Sequence, residues 1–159
     1  VIAAAGRVRR FLGKEIAELD QLPAIWRSVR IVMPGVLVAE GPAWTSQAEA
    51  DRQMSEWCAA LESWPQREQW PWITIVDDAE FSAANLSNWL WVTFVRSNPS
   101  HDVRGVGERI TYKHWGCCGP LLVDARANAH HAKPLIEDPQ VVKRVDALFA
   151  KNGVLGALT

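Results

Sequence analysis

The chain has 159 residues, 48% of them hydrophobic and 22% charged, with a formal net charge of −1. That composition describes a folded globular chain and excludes disorder, and the near-zero charge offers no basic footprint for nucleic acid or for an anionic membrane surface. No apolar run approaches the ~20 residues that a transmembrane helix needs, so neither nucleic acid nor a membrane is expected as a partner.

The opening Val1-Ile2-Ala3-Ala4-Ala5 is apolar but short, and Arg7, Arg9 and Arg10 follow it. That order is wrong for a secretory signal, which predicts a cytoplasmic protein. The first residue is Val, consistent with a trimmed initiator or with a piece of a longer chain. Cys58, Cys117 and Cys118 are odd in number and two are adjacent, so they make no disulfide framework. There are 9 Trp against 1 Tyr. Indole suits both a core and an interface, and composition leaves both open.

Residues 1–21 read as a helical lead-in. From Lys14 to Arg30, Ile16, Leu19, Ile25 and Val29 suggest a helix that Pro23 interrupts. Met33-Pro34-Gly35 breaks the chain, and Val36-Leu37-Val38-Ala39 reads as a short buried strand. The next helix starts at a capping box, Ser46 with Glu49 three residues on. Ala50, Met54, Trp57, Cys58 and Leu61 form its apolar stripe, and Pro65 stops it.

Trp72-Ile73-Thr74-Ile75-Val76 is β-branched, apolar and followed by Asp77-Asp78. This predicts a central parallel strand whose carboxyl end meets a loop. Ser82 is read as the cap of a further helix carrying Leu86, Trp89, Leu90 and Thr93, with Trp91 to Val95 apolar all round and expected to be buried. Asn98 to Asp102 is a turn cluster. Asp102 to Gly107 suggests a strand before a long loop, and Leu121-Leu122-Val123 a further strand. Asp138 and Pro139 open a last helix with Val141, Val142, Val145, Leu148 and Phe149 on its apolar face, closed by Asn152-Gly153. The alternation predicts one α/β domain with a mostly parallel sheet flanked by helices. Its main body is expected over residues 22–153, with an apolar tail at 154–159.

Three sets of residues invite chemical readings. Gly105-Val106-Gly107-Glu108-Arg109-Ile110 begins like a dinucleotide loop, but Ile110 stands where the third Gly belongs and no helical pattern follows. Asp77-Asp78 at a strand end either hold a cation or do acid–base work, or else one of them caps the next helix. A dipeptide alone supplies few converging ligands, which favours the cap. His114, Cys117 and Cys118 with His130 and His131 have the chemistry of zinc ligands. Their adjacency departs from the usual spacing of two to four residues, and neighbours on a strand face opposite ways. A Cys–His nucleophile pair finds no third group to orient it.

The order of several motifs resembles the carboxy-terminal domain of UbiD-family decarboxylases. Trp72 to Asp78 is similar to a strand and acidic turn late in that family. Trp89 to Arg96 is similar to the helix after it, where a Trp is followed four or five residues on by Arg. Asn98-Pro99-Ser100-His101-Asp102 matches the Pro-x-x-Asp that comes next, and Leu122-Val123-Asp124-Ala125-Arg126 resembles a strand ending in Asp-Ala. Upstream, Leu22-Pro23-Ala24-Ile25-Trp26 and Met33-Pro34-Gly35-Val36 are similar to the start of the same domain.

The resemblance implies reversible decarboxylation of aromatic or α,β-unsaturated acids on prenylated FMN, with a divalent metal and potassium. It places the flavin, metal and catalytic residues in an amino-terminal domain or catalytic partner chain. No catalytic, cofactor-binding or metal residue is therefore assigned here, and this chain alone is expected to bind neither flavin nor catalytic metal. What it implies for this chain is subunit association and an active-site lid over Val106 to Gly119. Val106, Ile110, His114, Trp115 and Cys117 are the substrate-lid candidates. The nine Trp, the placement of Trp91 on a different helix face from Trp89, and the apolar Val154-Leu155-Gly156-Ala157-Leu158 predict a chain that is not a stable monomer. It would pair with itself, with a UbiD-like catalytic subunit, or with both. A tail tucked into its own core is the alternative.

Overall fold

The computed structural model describes Gly6 and residues 10–17, 22–131 and 137–156. It divides into two compact units, within Val1–Ala129 and His130–Thr159.

The first unit is a five-stranded sheet with helices on both faces. In chain order its elements are β1 (Val29–Met33), β2 (Val36–Glu40), α1 (Gln47–Glu62), β3 (Trp72–Val76), α2 (Ala79–Ala83), α3 (Leu86–Arg96), β4 (Val103–Gly105), β5 (Arg109–Thr111), β6 (His114–Gly116) and β7 (Leu121–Asp124). The strand order is β1-β2-β3-β7-β4, and β5 pairs with β6 in a separate two-stranded ribbon. The expected neighbours β2, β3 and β7 are adjacent and parallel, with Leu37, Ile73 and Leu122 in register across them.

The sheet is mixed, not mostly parallel, because both edge strands run antiparallel to their neighbours. The lengths of the connections cause this. β1 joins β2 through Pro34-Gly35 alone, and a two-residue turn can only reverse the chain. β4 reaches β7 without a crossover helix, which also reverses it. Gly35 takes φ +83°, and a Cβ there would sit 2.7 Å from Leu12, so this turn has room for glycine alone.

Residues of β3 alternate between two cores, as period-2 geometry requires. Ile73 and Ile75, with Leu37 and Ala39 of β2, face Met54, Trp57 and Leu61 of α1 together with Trp64 and Trp70. Val76 with Val38 faces Trp89 and Val92 of α3 and Ala79 of α2. On that second face the buried Thr74 Oγ1 accepts hydrogen bonds from two indoles, Trp72 Nε1 at 3.0 Å and Trp89 Nε1 at 3.1 Å.

Several local expectations change. Described residues 10–17 and 22–28 carry no helix, and Val29 opens a strand instead. The rest of the expected lead-in lies outside the described residues. Ser46 Oγ caps α1 at Glu49 N, but the Glu49 carboxylate turns to Arg52 and Gln53, so only half of the capping box forms. Ser82 caps nothing; Asp78 caps α2 and Asn85 caps α3. Val92 and Thr93 are buried as expected, whereas Trp91, Phe94 and Val95 are exposed. The segment read as a loop after β4 contains the β5–β6 hairpin.

In the second unit, α4 (Pro139–Phe149) starts at the Asp138 cap with Pro139 in its first turn. Val141, Val145, Leu148 and Phe149 on its apolar face are exposed, as is Val154. Residues 157–159 of the expected tail lie outside the described residues.

Replacing Thr74 by Val keeps the shape and removes the acceptor shared by two indoles. Urea denaturation of Thr74→Val should show a loss of about 1–3 kcal/mol, the cost of leaving buried donors unmet.

Candidate functional site

The carboxyl ends of β2, β3 and β7 form the edge where open α/β sheets place ligands. Asp77 and Asp78 lie there, and the structure gives each a structural partner. Asp78 Oδ1 accepts from Phe81 N at 2.8 Å and caps α2. Asp77 Oδ2 accepts from Arg96 Nη1 at 3.0 Å and from Ala127 N at 2.8 Å. The clasp ties the end of β3 to the end of α3 and to the chain beyond β7. Arg96 also lies over the Trp91 ring, 5.4 Å from its centroid.

Beside it is a buried ion pair. Arg126 Nε donates to Asp124 Oδ1 at 2.9 Å and Nη2 to Oδ2 at 2.7 Å, a two-pronged contact. Arg126 Nη1 donates to the Pro42 carbonyl and to Gln53 Oε1, each at 2.8 Å. The guanidinium carbon stands 5.2 Å from the Trp57 ring centroid. The two side chains are 0% and 5% exposed. The arginine is thus spoken for on its edge and its face. Asp102 is a third pin: its Oδ2 accepts from Asn98 N at 2.7 Å and its carbonyl accepts from Asp124 N at 2.8 Å.

The lid candidates fall into three environments. Val106 is buried in the core on the α1 side. Its N–H donates to the Pro120 carbonyl, and its own carbonyl accepts from Cys118 N and Gly119 N, all at 3.0 Å. These bonds pinch the neck of the hairpin. Ile110 and Trp115 face each other across β5 and β6, and His114 pairs with Thr111. Ile110, His114 and Trp115 are all exposed. Trp115 Nε1 donates to Glu108 Oε2 at 3.3 Å.

Cys117 is half-buried against β4, where a Cβ on Gly105 would lie 2.3 Å from its own. Burial raises its thiol pKa, with Cys118 and Glu108 adding to the effect. Its Sγ donates to the Gly119 carbonyl at 3.5 Å, and Cys118 Sγ accepts from Arg109 Nη1 at 2.7 Å. On α1, burial first and Glu108 second push the Cys58 thiol up to about 12.

Neither the zinc reading nor the phosphate-loop reading finds a frame. Among the described residues no three His, Cys, Asp or Glu side chains converge. Gly105 to Gly107 leads into strand β5 rather than a helix, so its amides do not line a phosphate cradle at a helix start. His130 and His131 belong to the second unit.

Sequence reasoning singled out Asp77 and Asp78 but not their partners. Asp124-x-Arg126 had a readable signal, since residues two apart on an extended chain share a face. Arg96 lies 19 residues from Asp77, and no local pattern links them. Among the described residues no helix is long and apolar enough to cross a membrane.

Two measurements follow. Arg126→Ala should cost about 3–5 kcal/mol in chemical denaturation, because it strands a buried carboxylate. Asp124→Leu with Arg126→Met should cost less than the single change, because no charge is left unpaired. Cys58 has a folded value raised above the ordinary 9.0. Its contribution to stability is complete below pH 9 and falls away as pH rises from 9 toward 12. Thermal melts across that window should show a loss that Cys58→Ala reduces.

No family model matches the chain. An uncharacterized protein of Chlamydia muridarum is 27% identical over 84 residues, which are 53% of this chain and 14% of that protein. Two structures of vanillic acid decarboxylase from Sedimentibacter hydroxybenzoicus in open form, one with a truncated subunit, align over 71% of this chain. Their TM-scores are 0.42 and 0.40, at 15% and 16% identity. The chain spans about a quarter of the length of those solved chains, 26% in each case. Similarity of this degree assigns neither a fold family nor an activity.

Proposed function

We propose that the chain is the small subunit or carboxy-terminal part of a UbiD-like carboxy-lyase, acting on an aromatic or unsaturated carboxylic acid. In this reading the catalytic, flavin-binding and metal-binding residues lie in a partner chain or an amino-terminal domain. This chain contributes association and a lid. One observation supports the reading: the motifs from Trp72 to Arg126 serve one framework, in the chain order on which the family resemblance rests. Asp78 starts α2, Asp77 clasps Arg96, Asp102 closes the turn before β4 and Asp124 locks Arg126.

The lid in this proposal is the β5–β6 hairpin. Its neck is fixed at Val106 and Gly119, and it carries Ile110 and Trp115 as an open apolar pair. Decarboxylation leaves negative charge on the cofactor, and a partner's site benefits from an apolar cover that keeps water out.

A second reading makes the chain a non-catalytic assembly module. The closed hydrogen-bonding of Asp77, Asp124 and Arg126 favours it, since these polar groups are engaged inside the fold.

Co-purification with a UbiD-like catalytic subunit separates the readings. The carboxy-lyase reading expects a flavin absorption spectrum in the complex and turnover of an aromatic acid. In that complex, Ile110→Ser with Trp115→Ala should lower turnover on the order of 10–10²-fold, the scale of a misplaced active-site element, with the complex intact. Unchanged turnover refutes the lid. A complex without flavin or turnover favours the assembly module.

A further inference from the structure

β6 ends at Gly116, so Cys117 and Cys118 lie in the bend that follows it rather than on a strand. The rule that strand neighbours face opposite ways does not govern them there. Both side chains lie against the segment from Gly105 to Gly107. A Cβ on Gly105 would stand 2.3 Å from Cys117 Cβ and 2.9 Å from its Sγ, and one on Gly107 would stand 3.4 Å from Cys118 Cβ. Glycine at 105 leaves the space that the Cys117 side chain occupies. The Gly-Val-Gly run that begins like a dinucleotide loop is thus the floor beneath two adjacent thiols.

The two thiols differ in exposure and in their neighbours. Cys118 is exposed, and Arg109 Nη1 donates to its Sγ at 2.7 Å. Glu108, the carboxylate next to Arg109 in the chain, is engaged by Arg104, by Gly105 N and by Trp115 Nε1. The Arg109 guanidinium therefore stands as a cation at the Cys118 sulfur. Cysteine attacks as its anion, and an exposed sulfur beside a guanidinium is the setting that favours attack. Cys117 follows in the chain on the half-buried side, its Sγ turned to the Gly119 carbonyl. The third thiol, Cys58 on α1, is pushed up to about 12 by burial first and Glu108 second, which leaves it inert near neutral pH.

We propose that Cys118 is a peroxide-reactive thiol, that Cys117 resolves it, and that the pair closes reversibly into a disulfide. The oxidant is hydrogen peroxide or an organic hydroperoxide. The Cys118 thiolate attacks a peroxide oxygen. An S–O bond forms, the O–O bond breaks, and the leaving hydroxide or alkoxide takes up the proton that Cys118 gave to solvent. Cys118 is then a sulfenic acid, oxidised by two electrons. The Cys117 sulfur attacks Cys118 Sγ, the S–S bond forms, the S–O bond breaks, and water leaves with the Cys117 proton. A dithiol reductant returns the two electrons and restores both thiols. Adjacent Cα atoms are about 3.8 Å apart, whereas ordinary disulfides span about 4.4–6.8 Å. The closed pair is therefore strained and readily reduced, as a reversible disulfide must be. The proposal rests on this cluster alone and stands whether or not the carboxy-lyase reading does.

Treatment of the reduced full chain with a small excess of hydrogen peroxide at neutral pH tests it. Wild type should lose two of its three free thiols, fall in mass by two hydrogens, and recover both with dithiothreitol. Peptide mapping should place the bond between Cys117 and Cys118. Cys117→Ser should stop at a sulfenic acid that dimedone labels at Cys118. Cys118→Ser should slow thiol loss by about 10-fold or more, and Cys58→Ser should leave it unchanged. Arg109→Gln should slow it by about 10-fold, while Arg109→Lys, which keeps the cation, retains most of the rate. Unfolding wild type in urea, which removes the Arg109 contact without any substitution, should slow it to a similar degree. A bond from Cys58 to Cys117, a cross-link between chains, or oxidation past the sulfenic acid without a disulfide overturns the proposal. So does a rate that neither urea nor Arg109→Gln lowers.

Discussion

The pairing of Arg126 with Asp124 is the contact on which the carboxyl end of the sheet closes. A guanidinium moved out of water costs several kcal/mol unless its donors are met. Here they are met from three places at once. Asp124 is the last residue of β7, Gln53 comes from α1, and the Pro42 carbonyl comes from the loop after β2. Gln53 and Pro42 lie 73 and 84 residues away in sequence. The arginine is therefore satisfied only when sheet, helix and loop are assembled together. A partly formed sheet leaves it charged and unmatched, which penalises incomplete packings more than it rewards the native one.

The indoles divide between the two faces of the sheet in a way that follows from this closure. Facing α3, Thr74 takes the N–H groups of Trp72 and Trp89 on one hydroxyl. Facing α1, the buried Trp26, Trp64 and Trp70 leave their Nε1 groups without a partner among the described residues. That face is held by apolar area and by ring packing, such as Trp26 edge-on to Trp57 at 5.9 Å. One side of the sheet is polar-keyed and the other is filled by bulk. Trp91 and Trp115 belong to neither core.

Much of the central fold was legible because its signals are local. Val36–Ala39, Trp72–Val76 and Leu121–Val123 are short apolar runs bounded by breakers, and all three are central strands. The Ser46 and Asp138 caps likewise name their helices. Strand direction was not legible, because side-chain periodicity is the same for parallel and antiparallel pairs. Only the shortness of Pro34-Gly35 carries that information, and it was masked by reading Val29 into a helix. The outer arc of α3 was misread for a different reason. An all-round apolar helix is buried only if every face finds a neighbour, and among the described residues α3 finds one for half of its surface. The site was legible as a set of residues but not as a set of jobs. Asp77, Arg96, Asp102 and Arg126 all appear in the motifs, and each acts on backbone or on another motif residue. A pattern built from them would recognise chains that close a sheet in this way, whether or not they catalyse anything.

The tip of the β5–β6 hairpin has its own consequence. Tyr112 and Lys113 stand at φ 50° and 67°, a region where a Cβ costs roughly 1–2 kcal/mol per residue. A two-stranded ribbon has little to set against that, being marginal in water by itself. The five-stranded sheet does not depend on it, since Val106 and Gly119 close the neck below. The ribbon's hydrogen-bond ladder is therefore separate from that of the five-stranded sheet. What holds its tip in place is the cross-strand pair Ile110–Trp115 and the bonds from Arg109 to Cys118 and from Trp115 to Glu108.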